Sequence, residues 1–442
     1  MNPPPTSIAA RRTYLDGAFA PATIRIGDGR IAAIAPFDES ADLVLDDALV
    51  LLPGLVDSHV HLNEPGRTAW EGFETGTAAA AAGGITTVVE MPLNSVPVTT
   101  TPDALAVKRA AAAGRLAVDV AYWGGAVPEN LGSLGVLLDA GVVGVKCFMA
   151  PSGIDEFGHL DATQVEAALG ELAPRDGLLI AHAEIAEHLG DAHGPVFRDF
   201  VATRPPVAEV DAIRIVIAAA RRTGGRVHIV HVAAADALDD VRAAQAEGVR
   251  ITVETCPHYL TLRAEDVPDG AGTFKCCPPI RDGANQDRLW DGVLDGTIAA
   301  IVSDHSPATA DLKQKPDLGE AWGGIAGVQT GLSAVWTEAR RRGIALERIL
   351  PLFTTGPADL VRLTDRGRIA PGAPAHLAVF DPDLEFTVDA GELEYRNKLS
   401  PWHGAVLTGA VVETWVHGAA VYRRGEGVLA RAGRDVMAGG AG

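Results

Sequence analysis

Apolar positions along this chain follow two rhythms. Between residues 53 and 369, short runs of Val, Ile, Leu and Ala recur, each bounded by turn-forming or polar residues. They begin near Leu55, Ile85, Val118, Val142, Leu178, Arg226, Val249 and Ile298, and each has the length of a buried strand. Ala-, Leu- and Arg-rich stretches with helical spacing lie between them, among them 75–82, 101–113, 162–172, 210–222 and 234–246. Strands that alternate with helices in this way predict an α/β fold, a closed parallel (β/α)8 TIM-like barrel. An open doubly wound sheet is the competing arrangement, and it would gather a ligand at one crevice. Here potential ligands sit on many strands, and no Gly-rich dinucleotide fingerprint follows the first.

The chain ends read differently. Ala22-Thr23-Ile24-Arg25-Ile26 and Ile31-Ala32-Ala33-Ile34-Ala35 alternate with a period of two around Asp28-Gly29, a hairpin signal. The same style returns in 375–380 and 409–418. Residues 1–52 and 370–442 are therefore expected to meet in a small β-sandwich domain, leaving 53–369 as the barrel.

Composition narrows the setting. With 442 residues, 47% of them hydrophobic, and a formal net charge of -20, the chain can bury a large core and repels nucleic acid and anionic membrane surfaces. Four cysteines, two of them the neighbours Cys276 and Cys277, do not make a disulfide framework and suggest a reducing compartment. Met1-Asn2-Pro3-Pro4-Pro5 has no signal-peptide core, Arg11-Arg12 leads into a polar turn rather than an export signal, and no run is long enough for a membrane helix. A cytoplasmic protein is expected.

The chemistry lies at strand ends. Gly54-Leu55-Val56-Asp57-Ser58-His59-Val60-His61 places two imidazoles two residues apart, on one face of a strand. Lys146, His182, His231 and Asp304 close later strand-like runs, and barrels carry their catalysis at that end. Taken singly, each has a plainer role: a lysine paired with an acid, satisfied core histidines, a turn-capping aspartate. Their recurrence at successive strand ends favours a metal site. A lysine joins such a set once its amine has captured carbon dioxide, because the carbamate can bridge two cations as a carboxylate does. Two divalent cations sharing a hydroxide suit hydrolysis, with Asp304 placed to move the proton. His228, three positions before His231, should face away and serve structure. His258 lies near strand seven as a supporting residue. His159, His188, His193, His376, His403 and His417 have no metal-like spacing. Cys147 should point away from the site.

These residues resemble the cyclic amidohydrolases of the amidohydrolase superfamily. The likeness runs from Pro53-Gly54-Leu55-Val56-Asp57 to Trp415-Val416-His417-Gly418 and includes 59–66, 70–76, 91–95, 146–148, 275–281, 303–307 and 322–327. It implies metal ligands at His59, His61, a carbamylated Lys146, His182, His231 and Asp304. It also implies two divalent ions per subunit (zinc foremost, with manganese, cobalt or iron as alternatives), a homotetramer or dimer, and hydrolysis of the hydantoin ring of (S)-allantoin to allantoate. Dihydroorotases usually carry Arg where Asn63 stands, which would suit a ring carboxylate. Hydantoinases and dihydropyrimidinases usually carry Tyr where Pro151 stands. Asn63 and Asn94 offer both donors and acceptors to a ureido-substituted ring, and relatives hold the ring through main chain equivalent to Cys277 and Gly323. Ala233 replaces a Ser common in relatives, which implies one weaker supporting contact rather than loss of activity. The alternatives are hydantoinase, dihydropyrimidinase or dihydroorotase activity, or a metal-free scaffold of the same fold. The long connection 306–327 is expected to act as a lid or to be an ordinary insertion.

Overall fold

The structure, a computed structural model, describes residues 6–438, so Met1–Pro5 lie outside it. The chain opens with β1 (Ser7–Leu15), which contains Arg11-Arg12, then β2 (Ala18–Gly27) and β3 (Arg30–Ala35). Asp28 and Gly29 join the last two with φ of 52° and 75°, the backbone a two-residue hairpin turn requires. β4 (Leu43–Val44) and β5 (Val50–Pro53) follow. The barrel strands are β6 (Leu55–Val60), β7 (Ile85–Glu90), β8 (Asp119–Tyr122), β9 (Gly124–Gly125), β10 (Val145–Phe148), β11 (Leu178–His182), β12 (Arg226–Ile229), β13 (Ile251–Thr255) and β14 (Ala300–Ile301). The chain then returns through β15 (Leu377–Thr387), β16 (Val406–Val416), β17 (Ala419–Arg423) and β18 (Gly427–Val428).

Strands β6-β7-β8 and β9 to β14 pair in parallel, each with its sequence neighbour. Only Trp123 separates β8 from β9, and its N–H donates to Glu90 O at 3.0 Å, so the two are one interrupted strand of the barrel and the two sheets continue into each other. The ring closes beyond β14, where the ladder is short. There Val60 bridges His305, His61 N donates to His305 O at 2.8 Å, and the Asp57 carboxylate accepts Ser303 N at 3.1 Å. The result is a (β/α)8 barrel. The ends form a second sheet in the order β18-β17-β16-β15-β5-β1-β2-β3, with β4 beside β1. Strand β5 joins the halves by pairing in parallel with β1 and antiparallel with β15. Gly54 alone links this sheet to β6, and a Cβ there would lie 2.2 Å from Thr86 Oγ1.

Alternation explains which side chains reach the barrel interior. On β11, Leu179 and Ala181 pack into the core shared with the helices, whereas Leu178 and Ile180 join a separate cluster with Val89, Phe148 and Val230. His182 has the parity of Ile180, and Lys146 that of Phe148. The helix Phe73–Ala82 lies close to the wall because Ala79, Ala80 and Ala81 are all fully buried.

Glu90, at the end of β7, and Lys108, on the helix Pro102–Ala112, form a fully buried ion pair of 3.2 Å. Glu90 also accepts Leu62 N at 2.6 Å, and Lys108 donates to Met91 O at 2.6 Å, so the pair fixes the loop following the two strand-end histidines. Burial pushes the Glu90 carboxyl up to about 7 against the pull of Lys108. Removing one partner strands the other in a dry site. Lys108→Met is expected to cost about 3–5 kcal/mol in urea unfolding, and Glu90→Gln/Lys108→Met is expected to recover part of it.

Candidate metal centre and active site

Asp57, His59 and His61 share one face at the end of β6. His59 Nδ1 donates to Glu254 Oε1 on β13 at 2.6 Å, and Glu254 Oε2 accepts His228 Nε2 on β12 at 2.9 Å. Burial opposes ionisation of Glu254, yet the two histidines hold its carboxyl down to about 2. With Nδ1 committed to this carboxylate, the remaining nitrogen of His59, Nε2, lies 3.2 Å from Asp304 Oδ1. His61 Nε2 stands 3.6 Å from the same oxygen. The Nε2 atoms of both rings therefore face one carboxylate oxygen. Ligands about 2.0–2.1 Å from a tetrahedral ion stand about 3.3 Å apart, so a cation fits among these three atoms.

A second group lies alongside. His182 Nδ1 is 3.0 Å from His231 Nε2, and His182 Nε2 donates to Glu184 Oε2 at 2.7 Å. Glu184 is held in turn by Arg204, through Nε at 3.1 Å and Nη2 at 2.5 Å. Burial lowers the basicity of His182 and takes His61 and His231 well below the ordinary histidine range, leaving neutral rings suited to metal binding. Lys146 is 1% exposed, with its Nζ 4.9 Å from the Phe148 ring centre. Burial lowers its pKa to about 8, against the pull of Asp304 and Glu254. Burial also raises the Asp304 carboxyl, opposed by His59 and Lys146.

All six predicted ligand residues line one cavity of about 330 Å³. Asn94, Cys277, Gly323, Pro151 and Arg204 line it too, and the Asn94 amide lies 3.5 Å from His61 Nδ1. Asn63 does not line it: the side chain is fully buried and donates to Pro307 O at 3.4 Å. Four non-glycine residues here adopt positive φ: Asn63 (62°), Asn94 (64°), His231 (40°) and Asp304 (42°). Such backbone is uncommon and gathers at functional sites.

His231 and His228 require a correction. Strand parity alone turns His228 away from the site, whereas the structure points it inward beneath Glu254 and uses the left-handed turn at His231 to bring that ring to the rim. His258 is fully buried on the short helix Pro257–Thr261, within 4.8 Å of Asp304 and Cys256 by its ligand atoms. At Ala233, the Glu209 carboxylate accepts the N–H groups of Ala233 and Ala234 at 2.9 and 3.0 Å. His376 and His417, which have no metal-like spacing in sequence, converge on Asp119. Its carboxylate already accepts His417 Nε2, Arg366 Nη2 and Arg434 N, so a cation there would compete with a guanidinium.

The 306–327 segment is tied down. It carries the helix Ala310–Lys313, whose buried Lys313 Nζ donates to the carbonyls of Lys275, Trp322 and Gly324. The sequence offered no sign of this staple, nor of Arg204 and Glu254, whose partners lie far off in the chain; Glu184, two residues after His182 and so of the same strand parity, is the one that spacing could have found.

Barrel and donor set together define a metal-dependent hydrolase. The Amidohydrolase family matches residues 50–421. The chain is 52% identical over 413 residues to the allantoinase of Streptomyces avermitilis, covering 92% of this chain and 93% of that protein. It is 44% identical to the allantoinase of Saccharomyces cerevisiae, covering 86% and 84%. Among solved structures it is similar to the L-hydantoinase (dihydropyrimidinase) of Arthrobacter aurescens, with a TM-score of 0.92, 30% identity, and coverage of 98% of this chain and 100% of that one. The chain belongs to the amidohydrolase family, whose members are built around a divalent metal centre.

Glu254→Gln weakens the acceptor that orients His59. A titration of metal-free protein with zinc is expected to show a 10- to 100-fold loss of affinity. Unchanged affinity would separate Glu254 from the metal centre.

Proposed function

We propose that this chain hydrolyses (S)-allantoin to allantoate. The observation that carries the reading is the convergence of His59, His61, Lys146, His182, His231 and Asp304 on one small cavity, in a chain 52% identical to an allantoinase. The L-hydantoinase likeness covers 98% of the chain, against 92% for the allantoinase, at the lower identity of 30%. Among the described residues no helix is long and apolar enough to cross a membrane. A homotetramer or dimer in the cytoplasm completes the proposal, and light scattering on purified protein tests the assembly.

His59, His61 and Asp304 would hold one ion and His182 and His231 the other, with a carbamate on Lys146 between them and zinc as the first choice. Bound there, such ions lower the pKa of water toward 7 and polarise a carbonyl. The chain's own part is to place and move protons. Asp304 accepts the proton of the attacking water as its oxygen bonds to the ring carbonyl carbon. The ring C–N bond then breaks, Asp304 returns the proton to the departing nitrogen, and the former carbonyl becomes a carboxylic acid that gives its remaining proton to solvent. Main chain at Cys277 and Gly323 holds the ring, and Asn94 lines the same cavity beside His61. Asn63 supports from beneath through Pro307.

Activity on allantoin well above that on hydantoin and dihydroorotate is the expected result with purified enzyme. A preference for either of the others would overturn the reading. Asp304→Asn is expected to keep the circular dichroism spectrum and lose at least about 100-fold in turnover; near-normal turnover would remove Asp304 as the base.

Carbamate forms only from a neutral amine. Below a pKa of about 8, that fraction of Lys146 falls tenfold per pH unit, and above it levels off. Recovery of metal-stripped enzyme in zinc at a fixed concentration of dissolved carbon dioxide should therefore quicken as pH rises toward 8 and then plateau. Recovery independent of dissolved carbon dioxide would argue against the carbamate.

A further inference from the structure

Arg204 belongs to the cavity wall, yet nothing in the chemistry above uses it. It follows the helix Phe197–Ala202, in the connection after β11, and its side chain is 17% exposed. Four charged side chains line the cavity: Lys146, Arg204, Asp304 and Glu320. Lys146 and Asp304 belong to the proposed metal centre. Arg204 is therefore the cation left to face a ligand, and Glu320 the remaining anion.

The way Arg204 is held limits what it can recognise. Its Nε and Nη2 edge is bound to both oxygens of Glu184, the carboxylate that also fixes His182. The edge that grips a carboxylate in two parallel bonds is thus occupied, and Glu184 balances the charge. Nη1 is left, with no protein acceptor among the described residues. An immobilised, charge-balanced N–H donor of this kind suits a neutral carbonyl oxygen better than a substrate carboxylate.

A ring clamped by the Cys277 and Gly323 main chain, with its reacting carbonyl toward Asp304, leaves its substituent to meet the other lining residues, Arg204 and Glu320 among them. A ureido group carries one carbonyl acceptor beside N–H donors. Arg204 matches the former, and Glu320, at the exposed mouth, can accept the latter. We propose that Arg204 is the specificity residue that recognises the ureido carbonyl of the substrate. The inference rests on the allantoin reading and extends it to the part of the molecule that does not react.

The test compares allantoin with unsubstituted hydantoin, which keeps the ring and lacks the ureido arm. Arg204→Lys retains a cation beside Glu184 but removes the planar donor set. Relative to wild type, kcat/KM for allantoin is expected to fall about 10- to 100-fold, while that for hydantoin changes less than about 3-fold. If hydantoin is not turned over, its inhibition constant against allantoin serves as the second readout. Zinc content per chain should stay level, since His182 keeps Glu184. Equal losses for both compounds, the pattern expected of Glu184→Gln acting through His182, would reduce Arg204 to a support for the metal ligand and overturn the proposal. A gain in dihydroorotate hydrolysis or binding in the variant would also overturn it, because Arg204 would then have been excluding a carboxylate. Wild-type protein inert toward allantoin would defeat the functional reading itself, a separate failure from equal losses in an active enzyme.

Discussion

Burial of polar groups at the rim of a closed barrel is the constraint on which the rest of this structure depends. A ring of parallel strands has no free edge, and all its strand ends of one sense come out together. Side chains from residues 59 to 304 are thereby forced into one small space and away from water. Each buried nitrogen or oxygen then needs a partner, because an unpaired one is costly. Glu254 between His59 and His228, and Glu184 between His182 and Arg204, meet that need. Each carboxylate takes a proton-bearing nitrogen of a histidine and so turns the other nitrogen toward the cavity.

Much of this was legible in the sequence, for physical reasons. Strand alternation puts His59 and His61 on one face, gives Lys146 the parity of Phe148 and His182 that of Ile180. Apolar runs mark most barrel strands within a few residues of where they begin. Asp28-Gly29 shows its hairpin because few residue pairs accept left-handed backbone twice in succession. These are local signals, carried by neighbours in the chain.

What was hidden depends on backbone twists and on long-range pairing. The left-handed conformation at His231 breaks the parity by which His228 had been turned outward, and nothing in Ile229-Val230-His231-Val232 announces it. Glu254 lies 195 positions from His59, so that link has no spacing to detect. Asn63 has the chemistry of a substrate contact, but its own positive φ and the Pro307 carbonyl draw the side chain into the protein. Nothing local to Lys313 marks it as buried, yet three backbone carbonyls keep it inside.

The single-residue passage at Gly54 ties the outer sheet to the chemistry. Strand β5 is locked between β1 and β15, and one residue later β6 begins its run toward the two histidines. No slack separates them. Lengthening this junction by one residue would rotate the whole first barrel strand by half a turn and present Ser58 and Val60 to the cavity in place of His59 and His61. The peripheral sheet thus acts as an anchor that sets the phase of the catalytic strand, which gives the small domain a part in the chemistry without its touching a substrate.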